Sequence, residues 1–467
     1  MPAKLGISFL KLRASYANVK DGLTQSTIGS TPGASYPVGY GVDYNSSYGG
    51  PTYQNSAVYT LPLAYNNKPA AYYANTLNNP NLKPNSTSQT EIGIDIRFLN
   101  NRLILDGAYY VSNDGPRIFT LPSSEATGYT GRLVNGISTQ KKGGEISLTG
   151  QVIRSPKGFN WDVVANYSTY TERLKEVYPE GGINTLASNF FVGSSSDKRF
   201  INVGDRTDGF YSSALVRTPD GQVINDYTID KDANGNPVKD SQGNTVFSGG
   251  RPIINPVAQF LGYVNPKFVW GINNRFSYKN INFSFQFDGR VGGVIGDYVR
   301  QKTFQGGRHI ETVQGALGAA RPNDVKGIKS YLSEGVVNTA TDETGNLIPI
   351  NYDVNGNVTN YTQLKFAPNP LLTYEQDYIA RVYGATESFL MSRSFAKLRE
   401  VIIGYSLPQS LLRHVGVKQA SVSLVGRNLL YFAQYKDIDL DQFLTGGISS
   451  LQTPTTRRYG INLNLVF

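Results

Sequence analysis

Cysteine is absent from this chain of 467 residues, which removes disulfide scaffolds and thiolate metal chemistry together. Histidine is almost absent: His309 and His414 are the only two, too few donors for a zinc site without cysteine. No nucleophile elbow accompanies them, so no Ser/His/Asp triad is read. A glycosidase would need only two carboxylates, but nothing in the sequence singles out a pair. The expectations are therefore no enzyme, no catalytic residue, no metal and no cofactor. Charged residues make up only 17%, low for a soluble protein of this length. Long apolar runs are missing too. Stretches such as Leu429-Leu430-Tyr431-Phe432-Ala433 fall far short of the roughly 18 residues a membrane-crossing helix needs. The net charge is +9, yet Lys and Arg are scattered without a basic run of five, so nucleic acid is not an expected partner. The opening Met1-Pro2-Ala3-Lys4-Leu5-Gly6 has neither the apolar stretch nor the cleavage site of a signal peptide.

What is present is aromatic and turn-rich: 31 Tyr, 22 Phe, 49 Gly and 23 Pro. Tyr and Phe favour strands, while Gly and Pro punctuate turns, so the composition is all-β with long loops. Mean hydropathy is nevertheless negative, because small polar residues fill alternate positions. At the C-terminus Tyr459, Ile461, Leu463, Leu465 and Phe467 share one parity, opposed by Gly460, Asn462 and Asn464. Similar runs occur at Ile7–Asn18, Glu91–Phe98, Arg102–Ser112, Gly144–Ile153, Phe159–Thr171, Lys267–Tyr278, Ile281–Val291, Phe395–Leu407 and Lys418–Leu430. In Ile281–Val291, Ile281, Phe283, Phe285, Phe287 and Val291 oppose Asn282, Ser284, Gln286, Asp288 and Arg290. Each run is about as long as a membrane-spanning strand.

Short Asn-rich turns alternate with connections of about 70, 95 and 100 residues, which compact soluble domains rarely tolerate. Outer-membrane barrels have this asymmetry, with short periplasmic turns and long external loops. The fold expectation is an antiparallel transmembrane β-barrel in the outer membrane, with Phe467 as an assembly signal and membrane lipid against the apolar faces. Asn282, Gln286, Asp288 and Arg290 would face the channel. Within the loops, Asp-x-x-Gly-Asn recurs at Asp232–Asn236, Asp240–Asn244, Asp342–Asn346 and Asp353–Asn357, which predicts small hairpins. His309–Ala320 reads as weakly helical. Asp230-Lys231-Asp232-Ala233-Asn234-Gly235 matches the first half of a calcium loop, but its twelfth position is Ser241, so a plain turn is expected. Asp437, Asp439 and Asp441 read as a solvated loop edge rather than a cation site. Tyr36, Tyr40, Tyr44, Tyr48 and Tyr53, followed by Tyr59, Tyr65, Tyr72 and Tyr73, lie among Gly, Ser, Asn and Pro. Such rings suit a sugar or a protein partner, or pack upon themselves at the membrane–water boundary.

Six segments, in order, resemble the SusC/RagA-like TonB-dependent outer-membrane transporters. They are Phe9-Leu10-Lys11-Leu12-Arg13-Ala14-Ser15-Tyr16; Asn79-Pro80-Asn81-Leu82-Lys83-Pro84 leading to Gln89-Thr90-Glu91-Ile92-Gly93; Gly143-Gly144-Glu145-Ile146-Ser147-Leu148; Asn265-Pro266-Lys267-Phe268 with Phe276-Ser277-Tyr278-Lys279; Phe395-Ala396-Lys397-Leu398-Arg399-Glu400-Val401 through Gly404-Tyr405-Ser406-Leu407-Pro408; and Gly426-Arg427-Asn428-Leu429-Leu430. The third departs slightly at Gly143 and Gly144. The resemblance implies that residues 1–467 are the C-terminal portion, roughly the last ten strands of a 22-stranded barrel. Plug, signal peptide and N-terminal strands would then lie outside this sequence. It also implies import of oligosaccharides or peptides, with a SusD-like lipoprotein as lid and a TonB complex as energy source. Read on its residues alone, the chain also fits a soluble or surface-attached β-rich carbohydrate-binding module or adhesin, since a sandwich alternates in the same way.

Overall fold

The computed structural model describes residues 6–20, 59–60, 68, 72–73, 75–77, 79, 81–187, 190–192, 199–412, 416–443, 447–449 and 451–467. The chain divides into two compact units, Met1–Leu186 with Phe200–Thr207, and Ala187–Arg199 with Asp208–Phe467. Each unit carries five long strands. In the first these are β1 (Ile7–Lys20), β2 (Ser86–Phe98), β3 (Leu103–Asp114), β4 (Ser138–Ile153) and β5 (Phe159–Glu176). In the second they are β6 (Phe268–Tyr278), β7 (Ile281–Val291), β8 (Phe395–Ser406), β9 (Gln419–Ala433) and β10 (Arg458–Val466). Within a unit every neighbour is antiparallel and follows in sequence order. Alternation therefore located all ten. The boundaries moved most at β4, which begins at Ser138 rather than Gly144, because period-2 patterning fades in its polar first half.

In the second unit, Phe276, Phe283, Ile403, Leu424 and Ile461 lie opposite one another across all five strands. Tyr278, Ile281, Tyr405, Val422 and Leu463 form the next such row, near the short turns. Between them runs a row of small polar positions, Ser277, Asn282, Gly404, Ser423 and Asn462. Most of the apolar positions are bare, with Leu424 57% exposed and Ile461 75%. A water-soluble sandwich buries its apolar face and wets its polar face. Here the apolar face is bare, while towards the long loops the polar face is covered, as at Arg290 and Lys397.

The first unit repeats the pattern, with Leu12, Ile94, Gly107, Ile146 and Tyr167 in one row. On its other face Arg13 reaches over β2 to Asp106 on β3, at 2.6 Å. Gly93 makes this crossing possible, since a Cβ there would come within 2.4 Å of the Arg13 Nε. Gly93→Val should therefore break the pair and lower stability only slightly, as expected for an exposed ion pair. Urea unfolding of the membrane-inserted protein would measure it.

Among the described residues the loops hold three helices of eight residues or more, α1 (Tyr298–Gln305), α2 (Gly315–Val325) and α3 (Glu375–Val382). The single weak helix expected over His309–Ala320 is instead a 3-10 turn, Ile310–Val313, followed by α2. The break falls at Gln314, which is extended, and Gly315, which is left-handed at φ 58°. The four Asp-x-x-Gly-Asn hairpins are all present. In the first, Asp232 Oδ1 accepts the N–H groups of Asn234 and Asn236, and Gly235 is left-handed. That carboxylate serves the turn, as the plain-turn reading requires.

Candidate functional site

The chemistry of the second unit concentrates on its polar face, where β7 and β8 meet the segment Tyr435–Thr455. Lys397, on β8, has a side chain only 3% exposed. Its ammonium donates to both oxygens of Asp439 at 3.2 Å, to Asp441 Oδ2 at 3.4 Å and to Thr455 Oγ1 at 2.9 Å. Arg399 lies between Asp288 on β7, at 2.8 Å from Oδ2, and Asp441, at 2.6 Å. Asp288–Arg399–Asp441–Lys397–Asp439 is thus one continuous chain of charges. The Arg399 guanidinium, and beyond it the Lys397 ammonium, hold the Asp441 carboxyl below the usual carboxylate range. The stability this contributes is present at neutral pH and lost as pH falls below the ordinary carboxylate value.

A β-bulge sets up this arrangement. Gln286 pairs with Glu400 and Phe287 with Leu398, so Arg399 has no partner on β7. The extra residue turns Arg399 and its neighbour Glu400 onto the same polar face, which a regular strand cannot do. On the β9 side the register also shifts, and Asn428 takes the left-handed conformation at φ 54°. Asn tolerates that region better than most side chains. Two of the family-like motifs, Phe395–Val401 and Gly426–Leu430, are therefore the two sides of one bulge. Asn428→Val should cost about 1–2 kcal/mol through that backbone angle, whereas Asn428→Gly should be nearly neutral. Thermal unfolding of the two variants separates backbone strain from side-chain loss.

Arg290 does not stand free in the channel as its parity suggested. It is buried, and its guanidinium donates to the carbonyls of Arg393 at 3.2 Å, Phe443 at 3.0 Å and Leu440. Arg393, 1% exposed, donates to the carbonyls of Val264 and Phe443, both at 2.8 Å. Two buried arginines thus clamp the 435–443 segment by its main chain, over a small core of Ile295, Met391, Phe395, Ile438, Leu440 and Phe443. The solvated edge expected at Asp437, Asp439 and Asp441 holds only for Asp437, which is exposed. Parity could not show that Asp439 and Asp441 fold back onto cations about 40 residues earlier. Above them opens a cleft of about 250 Å³, lined by Arg308, His309, Asp437, Gln442, Gln452 and Thr453 among others.

Asn282 and Gln286 lie on the same polar face as Asp288, as expected. Tyr36, Tyr40, Tyr44, Tyr48 and Tyr53, with Tyr65 and His414, lie outside the described residues. Tyr59 and Tyr73 are partners in a two-residue strand pair. Phe467 follows the end of β10 and is 73% exposed, and the Lys418 ammonium donates to its main-chain oxygen at 3.1 Å. Among the described residues no group of three or more acidic or histidine side chains gathers as a metal site.

No family model matches the chain. It does align with curated TonB-dependent receptors. TonB-dependent receptor P3 of Formosa agariphila is 22% identical over 407 residues, covering 83% of this chain and 35% of that protein. TonB-dependent receptor P39 of the same organism is 24% identical over 422 residues. TonB-dependent receptor SusC of Bacteroides thetaiotaomicron is 26% identical over 228 residues, 46% of this chain and 20% of that protein. The chain is similar to TonB-dependent receptors, SusC among them. Solved structures agree on the fold. The RagAB peptide transporter superposes with a TM-score of 0.57 at 18% identity, over 98% of this chain and 41% of that one. The same importer in its 'open-open' state gives 0.58 at 17% identity. The chain spans about a third of the length of the curated receptors it matches. Each five-stranded sheet accordingly matches a stretch of outer-membrane barrel wall.

Proposed function

We propose that the chain forms the C-terminal part of the wall, roughly ten strands of about 22, of a TonB-dependent importer. Plug and earlier strands would be supplied by the rest of that protein. The cargo in this reading is an oligosaccharide or a peptide, captured with a SusD-like lipoprotein and moved at the expense of the TonB complex. The observation that carries it is the inverted sheet of the second unit, with apolar rows bare and charges beneath loops, in a chain that aligns with TonB-dependent receptors. The work is selective binding and gated passage, which needs no covalent chemistry and hence no catalytic residue. Polar side chains of the inner face, Asn282 and Gln286 among them, would line the passage, and Phe467 would be read by the assembly machinery. Tyr36, Tyr40, Tyr44, Tyr48 and Tyr53 would offer flat faces to cargo or lid. The soluble carbohydrate-binding module is disfavoured, because it would have to leave Leu424 and Ile461 in water.

The test is uptake by cells that make the full outer-membrane protein. Labelled oligosaccharide and peptide pools should enter only when both this protein and TonB are present, and a lipoprotein should co-purify with it. Entry that survives TonB depletion would sink the importer reading.

A further inference from the structure

The apolar face of the first unit changes character toward its long-loop end. Beyond the row of Ile94, Gly107 and Ile146 comes one holding Ile92, Tyr109 and Gly144. The next holds Tyr16, Val111, Lys142 and Thr171, and the one after it Asn113, Gln140 and Arg173. Tyr109 and Tyr16, both exposed, thus separate the apolar band from a polar rim that carries cations.

Lys142 and Arg173 are both exposed. They stand on neighbouring strands, diagonal to one another in the register, a spacing of about 7–8 Å between backbones. A third cation is brought in by the segment that follows Phe200. Thr207 donates its N–H to the Glu172 carbonyl at 3.1 Å, and Leu174 donates its own to the Asp205 carbonyl at 2.9 Å. Arg206 therefore lies opposite Arg173 in a β-bridge, on the same face. Arg173 Nη1 donates to the Gly204 carbonyl at 2.7 Å, which ties the guanidinium to that segment.

No carboxylate shares these two rows. Asp114, Glu145 and Glu172 have the opposite parity, and Glu172 Oε1 accepts the Thr139 hydroxyl at 2.6 Å there. The first carboxylate on the cationic face is Glu176, one row further on. Like charges directly opposite one another on a sheet repel, so this grouping calls for an anion. In the second unit the corresponding apolar face holds Trp270, Gly289, Ala396 and Phe432 in one row near its long loops, with no charge. The cations are a local feature rather than a girdle.

We propose that Lys142, Arg173 and Arg206 are a docking site for the phosphate of a lipid headgroup at the outward rim of the wall. This rests on the wall reading above, in which the long loops face outward. Tyrosines mark the membrane–water boundary. Lys142 and Arg173 lie two and four residues beyond the Tyr109 row, about 7 and 13 Å along the strands. That is where headgroups begin. The Lys142 stem can lie along apolar surface with its ammonium turned to water, and a guanidinium fork matches phosphate oxygens. A soluble anion would satisfy the charges alone. A lipid also brings acyl chains to the apolar band directly below, which is why the occupant is a lipid.

The test is native mass spectrometry of the full outer-membrane protein in neutral detergent, with dioleoyl phosphatidic acid or dioleoylglycerol added. The phosphate-bearing lipid should bind at least tenfold more tightly. Lys142→Gln and Arg173→Gln should each weaken it about fivefold, the effect of one cation beside an anionic headgroup. Lys142→Arg should retain it. Lys157→Gln, in the short turn at the other end of the same strands, should change nothing. Lys142→Gln alone carries the test if Arg173→Gln folds poorly. Equal binding of the two lipids, or the same loss from Lys157→Gln, overturns the proposal. So does displacement of the lipid by millimolar inorganic phosphate, since the site would then serve a free anion. Heat-modifiable migration of the wild type checks the wall separately. A folded wild type without lipid preference refutes the docking site and leaves the wall reading standing, whereas a protein that never enters the membrane refutes the wall itself.

Discussion

Lys397→Met should release the Tyr435–Thr455 segment from the wall and cost about 3–5 kcal/mol, the range for removing one partner of a buried pair. The ammonium it removes sits on a side chain only 3% exposed and is the contact shared by Asp439, Asp441 and Thr455. Methionine fills much the same volume, so the loss reports charge rather than a cavity. Asp439 would keep the N–H and hydroxyl of Thr455 and the N–H of Asp441 but lose its counter-charge. Arg399 would still hold Asp441, so the loop should detach at its Asp439 end first. Limited proteolysis between residues 435 and 455, with urea unfolding of the same sample, reads both effects. Adding Asp439→Asn to Lys397→Met should recover part of the loss. If the double variant is no better than the single, the network is not what fastens the loop.

Leu424→Arg should block insertion into the membrane, at a cost of about 2–4 kcal/mol for a cation on the lipid face near the midplane. Leu424 sits in the row that also holds Phe276, Phe283, Ile403 and Ile461, so the charge would stand amid apolar side chains on every side. Its neighbour Ser423 belongs to the row of Ser277, Asn282, Gly404 and Asn462 on the opposite face. Ser423→Arg is expected to insert normally. The two substitutions differ by one residue in sequence, so composition, expression and translation are matched. Heat-modifiable migration after folding into vesicles distinguishes them. Equal insertion of both would mean that the apolar face does not meet lipid.

The wall was legible in the sequence because strand geometry imposes a period of two, and lipid on one side with polar groups on the other makes that period visible. Ile281–Val291 has the same boundaries in sequence and structure. The turn hairpins were legible for a different reason: Asp, Gly and Asn at fixed spacing each meet a local backbone demand. The charge network was not. Lys397 and Asp439 are brought together by a loop whose path no periodicity records, and the bulge that aims Arg399 is one residue out of step. Its trace in the sequence is the adjacent Arg399-Glu400, where alternation calls for one charge and one apolar residue. Helices α1 and α3 escaped notice because eight-residue helices inside a long loop present little more than two turns of pattern.

The four Asp-x-x-Gly-Asn hairpins close by themselves. Asp232, Asp240, Asp342 and Asp353 each bond the N–H groups two and four residues ahead, so the bonds that close each turn lie within its own five residues. Side chains at their tips, such as Val354 at 89% exposed, carry no part of the fold's stability. The outward surface can therefore be rewritten residue by residue while the wall and its ion network stay as they are. For a protein displayed to whatever surrounds the cell, that separation lets appearance drift under selection without a change in the machinery behind it.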